Sequence, residues 1–180
     1  KKNIFEMIVS FKYKFIFIKN YKVAGSSIEN YLYPLLDDND IVAPTRDFIG
    51  KNYIGDYDTE SLIKNFDKDL QKKYINNRIA FFAHMPAWLV KERIGEVDFK
   101  NFYKFCFVRN PWDLVVSHFN WLNSPDNNLG IKTSFENIIN DIKNVYSKNH
   151  QVFNYNRICN LDNTDLLVDR TCKFENLNME

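Results

Sequence analysis

Short, uninterrupted apolar runs alternate along this chain with stretches in which apolar residues recur every three or four positions, and that alternation limits the possible folds more than any other feature. Phe15-Ile16-Phe17-Ile18, Ile79-Ala80-Phe81-Phe82-Ala83, Phe102 to Val108 and Leu166-Leu167-Val168 read as four strands. Continuous runs of this length suit strands buried on both faces. Ile28, Leu32, Leu35 and Leu36 fall on one helical face, as do Leu62, Ile63, Phe66 and Leu70 in a pattern from Thr59 to Tyr74. Strands alternating with helices predict an α/β fold, three αβα layers around a mainly parallel sheet. At 180 residues, 45% of them hydrophobic, residues 1–180 read as a single domain able to bury a real core.

Local signals set the boundaries. Ser26 and Glu29 have capping-box spacing at the start of the first helix, and Pro34 ends or kinks it. Residues 37–57, rich in Asp, Asn and Tyr, read as loop. Pro86 sits at a helix start and Gly95 at its stop. Asn110 caps a helix from Pro111 to Leu122; residues 123–132 form a loop with Pro125 and Gly130; Thr133 and Glu136 then cap another helix.

Composition removes several function classes. A net charge of +1 gives no reason to expect bulk nucleic-acid binding or membrane adhesion. The chain contains no apolar run of transmembrane length, no signal peptide and no Asn-x-Ser/Thr acceptor, so no stable membrane insertion and a cytoplasmic location are expected; because it begins with Lys, a removed leader or anchor stays open. Cys106, Cys159 and Cys172 have neither CxxC spacing nor an even number, which suits reduced, buried thiols and no metal site.

The chemistry gathers just past the strand ends, where open α/β sheets bind ligands. After the first strand comes Lys22-Val23-Ala24-Gly25-Ser26-Ser27, in which Gly25 allows close backbone approach, the serines offer hydroxyls, and Lys22 is a mobile positive charge. After the third comes Arg109-Asn110-Pro111-Trp112-Asp113 and, two helical turns on, Ser117. A guanidinium fork and helix N-terminal N–H groups both favour phosphate, so a ligand with two separate phosphates is expected. His84 follows the second strand on the same edge. Taken singly, each motif also fits an ordinary turn with a surface charge. His118 and His150 are weaker candidates for chemistry, and Tyr53, Tyr57, Trp88 and Trp121 for stacking on sugar faces.

Taken together, Lys22-Val23-Ala24-Gly25-Ser26-Ser27-Ile28-Glu29 resembles the 5'-phosphosulfate loop of the sulfotransferases, and Phe107-Val108-Arg109-Asn110-Pro111-Trp112-Asp113 through Ser117 resembles their 3'-phosphate motif. The nearest likeness is to the carbohydrate-type branch. Ala83-His84-Met85-Pro86-Ala87 is similar to its His-x-Pro segment, and Leu167-Val168-Asp169 with Phe174-Glu175-Asn176-Leu177 to its C-terminal end. Residues 37–78 are unmatched; Tyr21 replaces a frequent proline, and Leu114 a frequent second basic residue.

The resemblance implies a P-loop nucleotide-kinase-like fold that uses 3'-phosphoadenosine 5'-phosphosulfate (PAPS) as sulfuryl donor, with no metal, and releases adenosine 3',5'-bisphosphate (PAP). It implies that Lys22 acts on the bridging oxygen and the 5'-phosphate, that Ala24, Gly25, Ser26 and Ser27 cradle that phosphate, that Arg109 and Ser117 hold the 3'-phosphate, and that His84 is the base for an acceptor hydroxyl, on a carbohydrate. Because the chain ends at Glu180 soon after Phe174-Glu175-Asn176-Leu177, an element closing over the adenosine is expected to lie outside it. The alternatives are a non-catalytic module that binds adenosine bisphosphate or a sulfated ligand, and a kinase. The kinase lacks support, since the lysine precedes the only glycine of its loop and no Walker A pattern is present.

Overall fold

β2 (Phe15–Ile18) runs through the middle of the five-stranded sheet formed by the described residues and delivers the loop that carries Lys22 at its C-terminal end. On one side it pairs in parallel with β4 (Tyr103–Val108), which pairs in parallel with β5 (Arg170–Lys173). On the other side it pairs antiparallel with β1 (Ile8–Ser10), which pairs antiparallel with β3 (Ile41–Val42). The computed structural model describes residues 7–37, 39–42, 81, 84–125, 132–144, 154–160, 162 and 164–179.

The sheet is therefore mixed, which corrects the mainly parallel sheet expected from sequence. Hairpins normally announce themselves with Asn-Gly or Asp-Gly. The β1–β2 turn has neither. Lys14 takes the left-handed backbone (φ 55°), and the buried Asp40, distant in sequence, accepts from the Phe11 and Lys12 N–H groups at 2.7 and 3.2 Å and from the Ser10 hydroxyl at 3.1 Å. A turn capped from another segment leaves no local signature.

Helices cover both faces. Met7, Val9, Ile16, Ile18 and Cys106 point to one side, against Ala87, Leu89 and Val90 of α2 (Ala87–Ile94), Phe99 of α3 (Glu96–Asn101) and Ile158 of α6 (Tyr155–Ile158). Ile8, Phe17, Phe107 and Cys172 point to the other, against Ile28 of α1 (Gly25–Leu32), Leu114 and Val115 of α4 (Pro111–Leu122) and Ile138 of α5 (Phe135–Asn144). The period of two in β2 thus feeds two cores, and the described residues form three layers. All three cysteines are buried.

Other boundaries differ by small, explicable amounts. Tyr33–Leu35 tightens into a 3₁₀ turn around Pro34. Ile41–Val42, inside the expected loop, adds the edge strand. Asn110 caps α4 by accepting from the Trp112 N–H at 3.0 Å, as its position predicts. At α5 the cap is Ser134, not Thr133: its hydroxyl accepts from the Asn137 N–H at 3.1 Å. The last strand is Arg170–Lys173, while Leu166 makes only an isolated bridge to Cys159. Its polar sequence hides it, because on this edge strand only Cys172 is buried. The strand expected at Ile79–Ala83, apart from Phe81, which packs on the first core, and the helix from Thr59 to Tyr74 lie outside the described residues. No helix among the described residues is long and apolar enough to cross a membrane.

Candidate active site

Residues 19–24 leave β2 and turn into α1 through two left-handed residues, Lys22 (φ 58°) and Ala24 (φ 57°). A non-glycine residue held there costs about 1–3 kcal/mol and persists only when its surroundings enforce it; such residues concentrate at functional sites. Ala24 is the helix N-cap, and its carbonyl accepts from the Ser27 and Ile28 N–H groups at 2.9 and 3.2 Å. Among the described residues no side chain caps the helix. The expected capping box of Ser26 and Glu29 is therefore not formed. The first N–H groups of a helix have no intrahelical partner, so an uncapped N-terminus at a strand end is ready for an anion.

Glu29 has a different task. Its carboxylate is buried and pairs with the buried Lys19 ammonium at 2.8 Å, and that ammonium also donates to the Ser26 hydroxyl at 3.3 Å. The Lys19 stem runs directly under Gly25: a Cβ there would lie 2.6 Å from Lys19 Cε and 2.7 Å from Cγ. Any side chain at position 25 would force the Lys19 stem to shift.

Lys22 and Arg109, 87 positions apart, meet at the mouth of this loop. Arg109 donates from Nη1 to the Lys22 carbonyl at 3.2 Å, stacks its guanidinium 4.3 Å from the Phe174 ring centroid, and keeps a buried Nε with no hydrogen-bond partner. The Lys22 ammonium lies 5.3 Å from the Trp121 ring centroid, and burial, then the neighbouring Arg109 charge, pulls its pKa below the ordinary lysine value. Among the described residues neither cation has a carboxylate within ion-pair distance. Ser117 is half-buried on α4, one turn before Trp121 and so on the helix flank that meets Lys22. Ser27 is exposed at the start of α1.

Beside Arg109 an open cleft of about 440 Å³ is lined by Val108, Asn110, Lys173, Glu175 and Asn176. Glu175 accepts from the Asn110 N–H at 2.6 Å, and this bond, with the nearby positive charges, holds its carboxyl below the usual range.

His84 sits on the other side of the loop. Its Nδ1 lies 3.2 Å from the Lys19 carbonyl, and its ring stacks on Tyr21 with centroids 3.9 Å apart. A carbonyl can only accept, so this contact requires the proton on Nδ1 and makes Nε2 the basic nitrogen. The His84 backbone is also left-handed (φ 56°). Its carbonyl accepts from Nη1 of the buried Arg157, whose Cζ lies 4.1 Å from the Tyr21 ring centroid. Asn154, left-handed as well (φ 45°), clamps the Tyr21 backbone: Oδ1 accepts from the Tyr21 N–H at 2.7 Å and Nδ2 donates to its carbonyl at 3.2 Å.

The structure thus joins Lys22 to Arg109 and His84 to the Lys22 loop through Tyr21 and Lys19. From the sequence, Tyr21 is only a departure from the family pattern and Glu29 only a capping residue, and nothing there singles out Lys19, Asn154 or Arg157. His118 stacks on Trp121, with ring centroids 5.9 Å apart, and Trp88 packs on the first core. His150, Tyr53 and Tyr57 lie outside the described residues. Among the described residues no group of three or more His, Cys, Asp or Glu side chains could hold a metal ion.

No solved structure matches the chain. An uncharacterized protein of Archaeoglobus fulgidus is 40% identical over 47 residues, which are 26% of this chain and 39% of that protein, so the chain spans well under half of the relative's length. The family model of the sulfotransferases matches residues 5–165, a span that contains both anion loops and His84. By that match, over most of its length, the chain belongs to the sulfotransferase family.

Proposed function

We propose that this chain binds PAPS and transfers its sulfuryl group to an acceptor hydroxyl on a carbohydrate. The observation that carries the reading is the meeting of Lys22 and Arg109 at an uncapped helix N-terminus. Two neighbouring cations, neither with a carboxylate within ion-pair distance among the described residues, repel each other, and an anion shared by both removes that cost. The unpartnered Arg109 Nε and the N–H groups of the first α1 turn are donors of the kind a phosphate takes.

In this reading Ala24, Gly25, Ser26 and Ser27 hold the 5'-phosphate, while Arg109 and Ser117 hold the 3'-phosphate. PAPS supplies an activated sulfuryl group on a good leaving group. Lys22, mobile and next to the 5'-phosphate, neutralises charge that develops on the bridging oxygen, a stabilisation greatest in the transition state. His84 takes the acceptor proton at Nε2, with Nδ1 held by the Lys19 carbonyl. No step needs a metal. The sheet with helices on both faces, and the lysine loop between β2 and α1, support a likeness to nucleotide kinases. Three buried cysteines, odd in number and without CxxC spacing, favour a reducing compartment such as the cytoplasm.

The test is thermal unfolding with PAP and with ATP. A ligand at about 100 times its Kd stabilises the folded state by about 2.7 kcal/mol, so PAP is expected to raise Tm by several degrees and ATP much less. Equal shifts with both nucleotides, or none with either, would overturn the two-phosphate site. Tight PAP binding with no sulfated product, after glycans and small alcohols are screened with labelled donor, would favour a binding module.

A further inference from the structure

Arg157 is a buried cation with no carboxylate within ion-pair distance among the described residues. A charge taken out of water is costly unless its contacts repay it. Among the described residues its guanidinium meets the His84 carbonyl, which accepts from Nη1, and the face of Tyr21 at 4.1 Å. Both lead to the same imidazole. The carbonyl belongs to a residue in the left-handed region, which a β-carbon disfavours and which the Arg157 hydrogen bond helps hold. Tyr21, fixed along its backbone by Asn154, lies between the guanidinium and the His84 ring, stacked on the latter at 3.9 Å. Backbone angle and ring plane together aim Nδ1 at the Lys19 carbonyl.

We propose that Arg157 is a positioning residue for the base: through the His84 carbonyl and the Tyr21 ring it keeps the imidazole in the Nδ1–H tautomer with Nε2 turned to the acceptor. This rests on the reading of His84 as base. Arg157 touches neither phosphate donor set nor the reacting atoms in that reading. Its loss therefore lowers turnover while cofactor binding stays intact.

The experiment reads the tautomer directly and needs no acceptor. In ¹⁵N-labelled protein, long-range ¹H–¹⁵N spectra report which nitrogen of each of the three histidines carries the proton, and His84→Asn assigns the His84 signals by their disappearance. The Nδ1–H form is expected to dominate at His84 in the unaltered chain. Arg157→Met is expected to shift His84 toward a mixture of tautomers, to lower kcat about tenfold or more with the KM for PAPS unchanged, and to be partly rescued by Arg157→Lys, which keeps one donor and the charge. A wild-type tautomer ratio in Arg157→Met, with PAP still bound, overturns the proposal. If Arg157→Met does not fold, Tyr21→Leu decides, because it removes the stacked ring and leaves the His84 carbonyl bond; an unmoved ratio there overturns it equally. Full transfer by His84→Asn fails at a different point: it removes the base itself, whatever the tautomer does in the Arg157 variants.

Discussion

Arg109 Nη1 donates to the backbone carbonyl of Lys22 at 3.2 Å, so one cation of the site is tied to the main chain of the other, and among the described residues neither charged end has a carboxylate within ion-pair distance. The bond couples the loop after β2 to the loop after β4. It also divides their work: Arg109 is fixed by this bond and by Phe174, whereas the Lys22 ammonium lies over the face of Trp121.

That difference predicts opposite profiles for two substitutions. Lys22→Ala is expected to cost transfer far more than PAP affinity, because a mobile charge acts most on the departing oxygen. Arg109→Ala is expected to cost affinity first. Calorimetry with PAP and single-turnover rates with labelled donor make the comparison; proportional losses in both variants would show that the roles are misassigned.

Alkaline pH supplies a second check. The folded-state pKa of Lys22 lies below its unfolded value, by burial and then by Arg109, so the folded protein releases this proton at a lower pH than the unfolded chain. Protonated Lys22 therefore opposes folding, and its contribution to stability rises with pH between the two values. Anion affinity moves the other way. PAP binding is expected to weaken as pH rises through the lowered pKa, before ordinary lysines titrate, and Lys22→Met is expected to abolish that part of the pH dependence. Identical profiles in the two proteins would exclude Lys22 as the group responsible.

For His84, substitution by Asn is expected to leave PAP binding intact and to lower transfer by about 10²-fold or more, the usual scale for a general base. The stacking on Tyr21 and the contact with the Lys19 carbonyl make a structural role the competing possibility. A His84→Asn protein with wild-type Tm and no turnover assigns the chemistry to the ring; one that unfolds assigns it to the packing.

Gly25→Ala tests the floor of the loop. The new methyl meets the Lys19 stem at 2.6–2.7 Å, and Lys19 is held at its far end by Glu29 at 2.8 Å. Overpacking of this kind costs about 1–3 kcal/mol. Breaking the pair with Lys19→Met is expected to cost more, about 3–5 kcal/mol, because Glu29 is left buried and charged. Urea denaturation compares the two; a Gly25→Ala protein as stable as its parent would show that the Lys19 stem can move aside.

The parts of the site that sequence revealed are those whose chemistry is local. Lys22, Gly25 and Arg109 each stand just past an apolar run, and Asn110 stands one residue before Pro111, so strand-end placement and cap preference found them. Ser26 and Glu29 carried a valid capping pattern that tertiary structure overrode, because the buried Lys19 gave Glu29 a stronger partner than a backbone N–H. Asn154 and Arg157 were invisible for another reason. They lie in a polar stretch without periodicity, and their partners Tyr21 and His84 are 133 and 73 positions away. The β1–β2 hairpin was missed in the same way, its turn being capped by Asp40.

The central place of β2 also orders events during synthesis. Its antiparallel partner β1 is joined by a turn only a few residues long, a connection that closes in roughly microseconds. Its parallel partner β4 must cross a far longer stretch: Asn20, which donates to the Phe107 carbonyl at 2.8 Å, waits for a residue 87 positions downstream. Loop-closure entropy delays that pairing, and at roughly 5–20 residues per second the ribosome delays it further. Through that interval the loop after β2 exists without Arg109. If the proposed two-phosphate site is right, a nascent chain halted before β4 is expected to ignore adenosine bisphosphate, and affinity for that ligand would report that both halves of the molecule have arrived and docked.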